Sequence, residues 1–234
     1  LLLPVMKPSC MHITGHGVER VEVLDDAAVK EFIGEYKPKY SLLDVDNPAT
    51  FGTWAFYDFY FEHKRQQTDA LSKALPIIRE VGKEYGKLTG RHYGILDTYA
   101  MDDAEIAIIV LSSTAGTART VVKELRQKGV KVGLIKPRVF RPFPAEEINE
   151  ALKNVLAVGV MDRSISFGAM GGYGGCGPIF LEVCAALFVN GNHQTKAANY
   201  IFGLGGRDIF PSHIEKVCLL YTSDAADEGL GVDL

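Results

Sequence analysis

The period of the hydrophobic positions changes along this chain, and each change marks an element. From Ile106 to Leu111 every residue is apolar, the pattern of a strand buried on both faces rather than one. A small-residue turn, Ser112-Ser113-Thr114, ends that run. Val121, Val122 and Leu125 then fall on one face of a helix predicted over 116–128, and Gly129 supplies its stop. A second strand is expected over 132–136, which completes a β-α-β unit. The alternation continues with a helix over 145–153, a strand over 155–161, a helix over 178–189 and a strand over 199–203. Strands and helices in strict alternation predict a doubly wound α/β fold. Its sheet is parallel, covered by helices on both faces and joined by right-handed crossovers.

Upstream the pattern is less regular. Glu19 to Leu24 alternates apolar and charged residues like a half-buried strand, and Asp25 and Asp26 are placed to cap a short helix ending near Ile33. The Pro, Asn, Asp and Gly content of 38–53 predicts a loop. Leu71, Leu75, Ile78, Tyr85 and Leu88 recur near helical spacing between Glu62 and Leu88, with Gly90 as the stop. Pro76 inside that stretch predicts a kink or two helices. Tyr93 to Asp102 reads as a bridge to the second unit. The run from Trp54 to Phe61 is expected to be core or subunit contact, not a stacking platform for single-stranded nucleic acid, because no basic frame surrounds it.

Composition narrows the classes. With 47% hydrophobic and 23% charged residues the chain can bury a core, and a net charge of −4 without a basic block gives no reason to expect nucleic acid. No stretch is long and apolar enough for a membrane span, so no membrane partner is expected. The cysteines show no Cys-x-x-Cys spacing, which points away from a disulfide framework and towards a reduced cytoplasm. His12, His16, His63, His92, His193 and His213 have no metal-ligand spacing.

Four groups of residues could carry chemistry. Gly172-Tyr-Gly-Gly-Cys-Gly177 formally matches G-x-G-x-x-G, but ten residues separate Gly172 from the strand end at Met161. No acidic residue lies between Glu182 and Asp208 to meet a ribose. A strand-to-helix loop with Pro178 as first helical residue is the simpler reading. Ser112-Ser113-Thr114 precedes a helix N-terminus, where amides hold anions but where capping needs the same residue types. Arg138 and Arg141 could grip a carboxylate or phosphate as planar forks, although a structural or interface role suits them better. Arg207 and Asp208 read as an ion pair fixing a turn. No catalytic, cofactor-binding or metal residue is assigned.

Two of these segments carry a resemblance. Asp103 to Pro144, closing on Arg138-Val-Phe-Arg-Pro-Phe-Pro144, and the later Gly203-Leu-Gly-Gly-Arg-Asp208 closely resemble the α subunit of the pyruvate:ferredoxin oxidoreductase family. The likeness runs from about Val5 to Val217. It implies the end of a thiamine-diphosphate pyrimidine-binding α/β domain over 1–100 and a transketolase C-terminal-like core domain II over 101–217. It also implies oxidative decarboxylation of a 2-oxoacid, pyruvate first, with CoA as acyl acceptor and ferredoxin as electron acceptor. A 2-oxoisovalerate or 2-oxoglutarate enzyme, or an α/β interaction module without chemistry, remains open.

Thiamine diphosphate, Mg²⁺ and [4Fe–4S] clusters belong, on this resemblance, to the complete complex with β, γ and δ-type subunits, and none to this chain alone. The buried Glu that activates the cofactor in such families would precede Leu1, so the chain is expected to be a fragment and inactive by itself. His16 lies where the family often has a Thr-His or Ser-His pair, but Gly15 precedes it here. Cys218 to Glu228 matches the translation of a common transposase sequencing adapter. Residues 218–234 are therefore expected to be adapter-derived and dispensable.

Overall fold

The computed structural model describes residues 23–52, 54–170 and 174–219. The strand expected over 19–24 falls almost wholly outside them, as do Cys10, His12 and His16, most of the expected tail, and Gly172 and Tyr173 of the glycine-rich run. The chain divides into two units, residues 1–74 and 75–234.

In the first unit, helix α1 (Asp26–Ile33) starts where Asp25 accepts hydrogen bonds from the amides of Ala27 and Ala28, at 2.9 and 3.0 Å. Gly34, at φ +74°, ends it. Residues 38–52 are irregular, as the composition predicts. Helix α2 (Tyr60–Ser72) follows and buries no side chain. The run from Trp54 to Phe61 is not core: Trp54 is 84% exposed and Tyr57 96%.

Helix α3 (Ala74–Thr89) begins one residue after Lys73 breaks the helical run. Pro76 sits in the first turn of α3, where its missing N–H has no intrahelical partner to lose, so the chain makes two helices. From here to Leu219 the chain builds a five-stranded sheet in the order β1-β3-β2-β4-β7. Its members are β1 (Leu96–Tyr99), β2 (Ile106–Val110), β3 (Val132–Pro137), β4 (Ala157–Asp162) and β7 (Lys196–Ile201). β2, β3, β4 and β7 are parallel, in the register Ile106↔Val132, Ile106↔Ala157 and Ala157↔Lys196.

β1 corrects the reading of Tyr93–Asp102 as a bridge. It pairs antiparallel with β3, from Leu96↔Pro137 to Tyr99↔Leu134. Four residues of mixed polarity, Leu-Asp-Thr-Tyr, carry too short a pattern to stand out as an edge strand. Arg126, near the end of helix α4 (Thr114–Gln127), ties the β1–β2 connection down. Its guanidinium donates to the Val132 carbonyl at 2.7 Å, to Asp103 at 2.6 Å and to the Ala100 carbonyl. That guanidinium holds the Asp103 carboxyl below its ordinary range, through the hydrogen bond first and its charge second.

Alternate residues of β2 feed two cores, which is why the whole strand is apolar. Ile106, Ile108 and Val110 pack with α4 and with α7 (Pro211–Leu219) through Val121, Val122, Leu125, Ile214 and Val217. Ala107 and Ile109 face the other way, onto α5 (Ala145–Leu152) and α6 (Pro178–Val189) through Ile148, Leu152, Ile179 and Val183. The sheet is thus covered on both faces, as the alternation predicts. Cys218 is fully buried in the first cluster, so the last described turn of α7 packs on the sheet.

Gly159, in the middle of β4, marks the tightest approach in that core. A Cβ there would lie 2.7 Å from a Val217 methyl and 3.2 Å from the Tyr200 ring. Gly159→Ala should destabilise the fold by about 1–3 kcal/mol, read as a lower denaturant midpoint; an unchanged midpoint would mean that α7 does not press on β4. Limited proteolysis should cut within 38–53 and leave a core that retains Leu96–Tyr99. A stable product starting near Asp102 would contradict the β1–β3 pairing.

Candidate functional site

In an open parallel sheet, ligands bind beyond the carboxyl ends of the strands, where the chain reverses its direction of winding. The order β1-β3-β2-β4-β7 puts that reversal between β2 and β4, because the chain steps from β2 to β3 on one side and then to β4 on the other. The strands end there at Val110, Pro137, Asp162 and Ile201. Their following loops bring the Ser112 turn, the Arg138–Pro144 segment, residues 174–177 and the Gly203–Asp208 turn to one edge of the sheet.

Asp162 dominates that edge. It is the last residue of β4 and 1% exposed, and its two carboxylate oxygens accept from the amides of Ile179 and Phe180 at 3.2 and 3.0 Å. Those amides belong to the first turn of α6, whose first helical residue is Pro178, as expected. A helix N-terminus with free amides is what would hold a phosphate. Here the chain's own carboxylate fills it. Gly177 has no room for a side chain, since a Cβ there would collide with the Asp162 carboxyl group. Asn199 on β7 completes the seal: its Oδ1 accepts from the Gly177 amide at 3.1 Å and its Nδ2 donates to the Gly175 carbonyl at 3.4 Å.

Gly175 and Gly177 therefore serve close packing, against Ser166 and Asp162, and the resemblance to a dinucleotide fingerprint is formal. They are also more ordered in pattern than a plain loop, because Ser166–Phe167 (β5) and Gly175–Cys176 (β6) pair as a two-stranded ribbon. Burial pushes the Asp162 carboxyl up to about 6, and the two amide hydrogen bonds pull partly the other way. Burial also raises the Cys176 thiol, with the nearby Asp162 charge as a second cause.

The other candidates stand nearby in structural contacts. Arg138 donates to Asp97 of β1 at 2.7 Å and lies 5.0 Å from the Tyr93 ring centroid, so both ends of its fork are used within the fold. Arg141 pairs with Glu182 of α6 at 2.5 Å and stacks 4.2 Å over Phe140. Arg207 and Asp208 do not form the expected ion pair with each other and are both exposed. The turn is held by backbone instead, with Gly203 at φ +62° and its carbonyl accepting from Arg163 Nε at 3.1 Å. The Ser112 turn does not cap α4 through a side chain: Ser113 makes no such bond, and Ser112 adopts φ +56°.

Sequence reasoning missed Asp162 and Asn199. A lone Asp after a strand carries no spacing signal; the only available cue was a charge terminating an otherwise apolar strand. Among the described residues no group of three or more His, Cys, Asp or Glu side chains could hold a metal ion. None of their helices is long and apolar enough to cross a membrane. With its amides already occupied, the N-terminus of α6 does not fit a diphosphate.

Comparison with known proteins places this geometry. Residues 104–214 match the family model described as pyruvate:ferredoxin oxidoreductase core domain II, and residues 1–83 match the one described as pyruvate flavodoxin/ferredoxin oxidoreductase, thiamine-diphosphate-binding. The pyruvate synthase subunit PorA of Thermotoga maritima is 44% identical over 214 residues, covering 92% of this chain and 53% of that protein. The ketoisovalerate oxidoreductase subunit VorA of Pyrococcus abyssi is 36% identical over 216 residues, 92% of this chain and 53% of that protein. A solved 2-oxoglutarate:ferredoxin oxidoreductase from Magnetococcus marinus matches at 20% identity and a TM-score of 0.39, over 53% of this chain and 19% of that one. The chain spans about half the length of the curated relatives it matches.

The direction of the Asp162 shift fixes a pH dependence. A folded-state value of about 6, above the ordinary 3.8, means that the folded protein holds this proton more tightly than the unfolded chain. Its contribution to stability is full below about pH 4 and is lost as pH rises through about 6, roughly 3 kcal/mol in all. Thermal melts between pH 4 and 7 should show that fall, and Asp162→Asn should flatten it. An identical slope in the variant would remove Asp162 as the cause.

Proposed function

We propose, from the premise that this chain belongs to the pyruvate:ferredoxin oxidoreductase family, that it forms part of the α subunit of a pyruvate-oxidising enzyme. The reaction is oxidative decarboxylation of pyruvate with CoA to acetyl-CoA and CO₂, with the electrons passed to ferredoxin. The observation that carries this reading is the 44% identity to a pyruvate synthase subunit across 92% of the chain. A 2-oxoisovalerate enzyme is the second reading, supported by the ketoisovalerate oxidoreductase relative at 36%.

On this reading residues 1–100 close the pyrimidine-binding domain and 101–217 form core domain II. Thiamine diphosphate, when bound in the complete complex, supplies the electron sink for decarboxylation. The amides at the start of α6 are taken by Asp162, and the site of that group, Mg²⁺ and the [4Fe–4S] clusters are assigned on this reading to the remainder of the complex with its β, γ and δ-type subunits. What the second unit contributes is a packed α/β domain. Arg138 and Arg141, held by Asp97 and Glu182, fix the segment 138–144 against β1 and α6, and Arg207 and Asp208 stay exposed for subunit contact. Among the described residues Cys176, Cys184 and Cys218 are free, and a reducing cytoplasm suits them.

A hybrid tests the assignment. This chain should replace the matching segment of the Thermotoga maritima subunit, and the reassembled enzyme should keep pyruvate- and CoA-dependent dye reduction with pyruvate preferred over 2-oxoisovalerate. The isolated chain with thiamine diphosphate and Mg²⁺ should show none. A correctly assembled hybrid that prefers the branched substrate would favour the second reading, and activity of the isolated chain would overturn the division of labour.

A further inference from the structure

Strand β1 lies at the edge of the sheet, and its phase leaves half of its backbone unused. It pairs with β3 alone, in a register that sets Leu96 opposite Pro137. Proline has no N–H to exchange, and the Arg138 amide donates instead to the Ile95 carbonyl at 2.9 Å. Asp97 and Tyr99 therefore turn their backbone groups towards β3, whereas Leu96 and Thr98 turn theirs to the open edge. An unpaired row of this kind is a template for a further strand.

Beside that edge lies an open groove of about 490 Å³, lined by Leu96, Thr98 and Met101 and, on α5, by Glu146, Glu147 and Glu150. No basic side chain lines it. Glu147 accepts from Arg79 of α3 through one carboxylate oxygen, while its Oε2 is buried with no hydrogen-bond partner. A buried acceptor left unmet is costly, so the groove lacks a donor. Among the described residues Glu146 forms no ion pair, and Glu150 pairs only with the exposed Lys153. The carboxylates do not gather as metal ligands. Spacing and charge select the occupant. Leu96 packs on the α5 side of the sheet, and alternate residues of a strand laid along β1 would face that side about 6.8 Å apart. Glu146 and Glu150 stand about 6 Å apart along α5. A Lys-x-Lys pair in an extended segment matches that interval and brings the missing donors to the same face.

We propose that the β1 edge and this groove are a docking site for an extended basic segment of a partner protein. The segment adds as a strand beside β1 and sets alternate Lys or Arg side chains against Glu146, Glu147 and Glu150. The inference stands independently of the assigned reaction. Titration of the full 234-residue chain with the blocked peptide Thr-Lys-Val-Lys-Val-Lys-Thr, followed by amide NMR, tests it. The expected result is saturable binding that shifts the Leu96 and Thr98 amides and weakens with added salt. Glu146→Lys with Glu150→Lys should weaken it about tenfold, with the circular dichroism spectrum unchanged because both side chains are exposed. N-methylation of the alternate peptide amides that face β1 should weaken it about tenfold as well. No saturable binding would overturn the proposal, as would binding indifferent to the charge reversal or equal binding of a peptide with glutamate in place of lysine. Binding that leaves the Leu96 and Thr98 amides unmoved and tolerates N-methylation would overturn it too, since charge alone would then hold the peptide.

Discussion

A carboxylate buried at the end of a parallel strand must find donors, and in this protein Asp162 finds them in the first turn of the helix that follows. Its oxygens take the amides of Ile179 and Phe180, Gly177 leaves the space, and Asn199 from the neighbouring strand holds the intervening backbone. The helix dipole favours that negative charge, whereas burial opposes it. This one contact fixes α6 on the sheet, and through Glu182 and Arg141 it fixes the segment that follows β3. The carboxyl edge, where a sheet of this kind would offer a ligand site, is thereby closed by the protein itself.

That closure gives a physical sense to the family match. The relatives are named as subunits of pyruvate and ketoisovalerate oxidoreductases, and this chain spans about half their length. The second unit of this chain has what a packing domain requires. Its central strand β2 is buried along its whole length, Arg126, Arg138 and Arg141 pair with Asp103, Asp97 and Glu182, and Asp162 fills the N-terminus of α6. The first unit shows the opposite: no buried residue in α1 or α2, and a run of aromatic rings open to solvent. Aromatic side chains of this kind are enriched where protein surfaces meet.

Much of this was legible in the amino-acid sequence. The unbroken run from Ile106 to Leu111 announced a central strand with helices on both sides, because an element buried on one face alone would have alternated. Asp25, Gly129 and Pro178 marked helix ends for local steric and hydrogen-bonding reasons that need no tertiary context. β1 was not legible, since an antiparallel edge strand of four residues derives its order from β3 rather than from its own pattern. The Ser112 turn misled because capping residue types do not guarantee capping geometry. The Arg207–Asp208 pair failed because adjacent side chains diverge in a turn whose shape is set by glycine backbone. Asp162 and Asn199 were silent for a related reason: a seal built from residues 37 positions apart has no spacing to read.

The closed edge can be tested at the level of a single group. Carbon-13 NMR of the carboxyl carbons, with the Asp162 signal assigned from the Asp162→Asn spectrum, would follow its titration directly. The account predicts a midpoint near 6, with the amide signals of Ile179 and Phe180 shifting through the same midpoint because their acceptor is losing its charge. A midpoint at or below the ordinary 3.8 would contradict the account, and so would amides that ignore the titration. Amides that ignore the titration would mean that the carboxylate does not sit in the helix N-terminus and that its amides are open to a ligand, whereas a midpoint at or below 3.8 would mean that the amide hydrogen bonds outweigh burial.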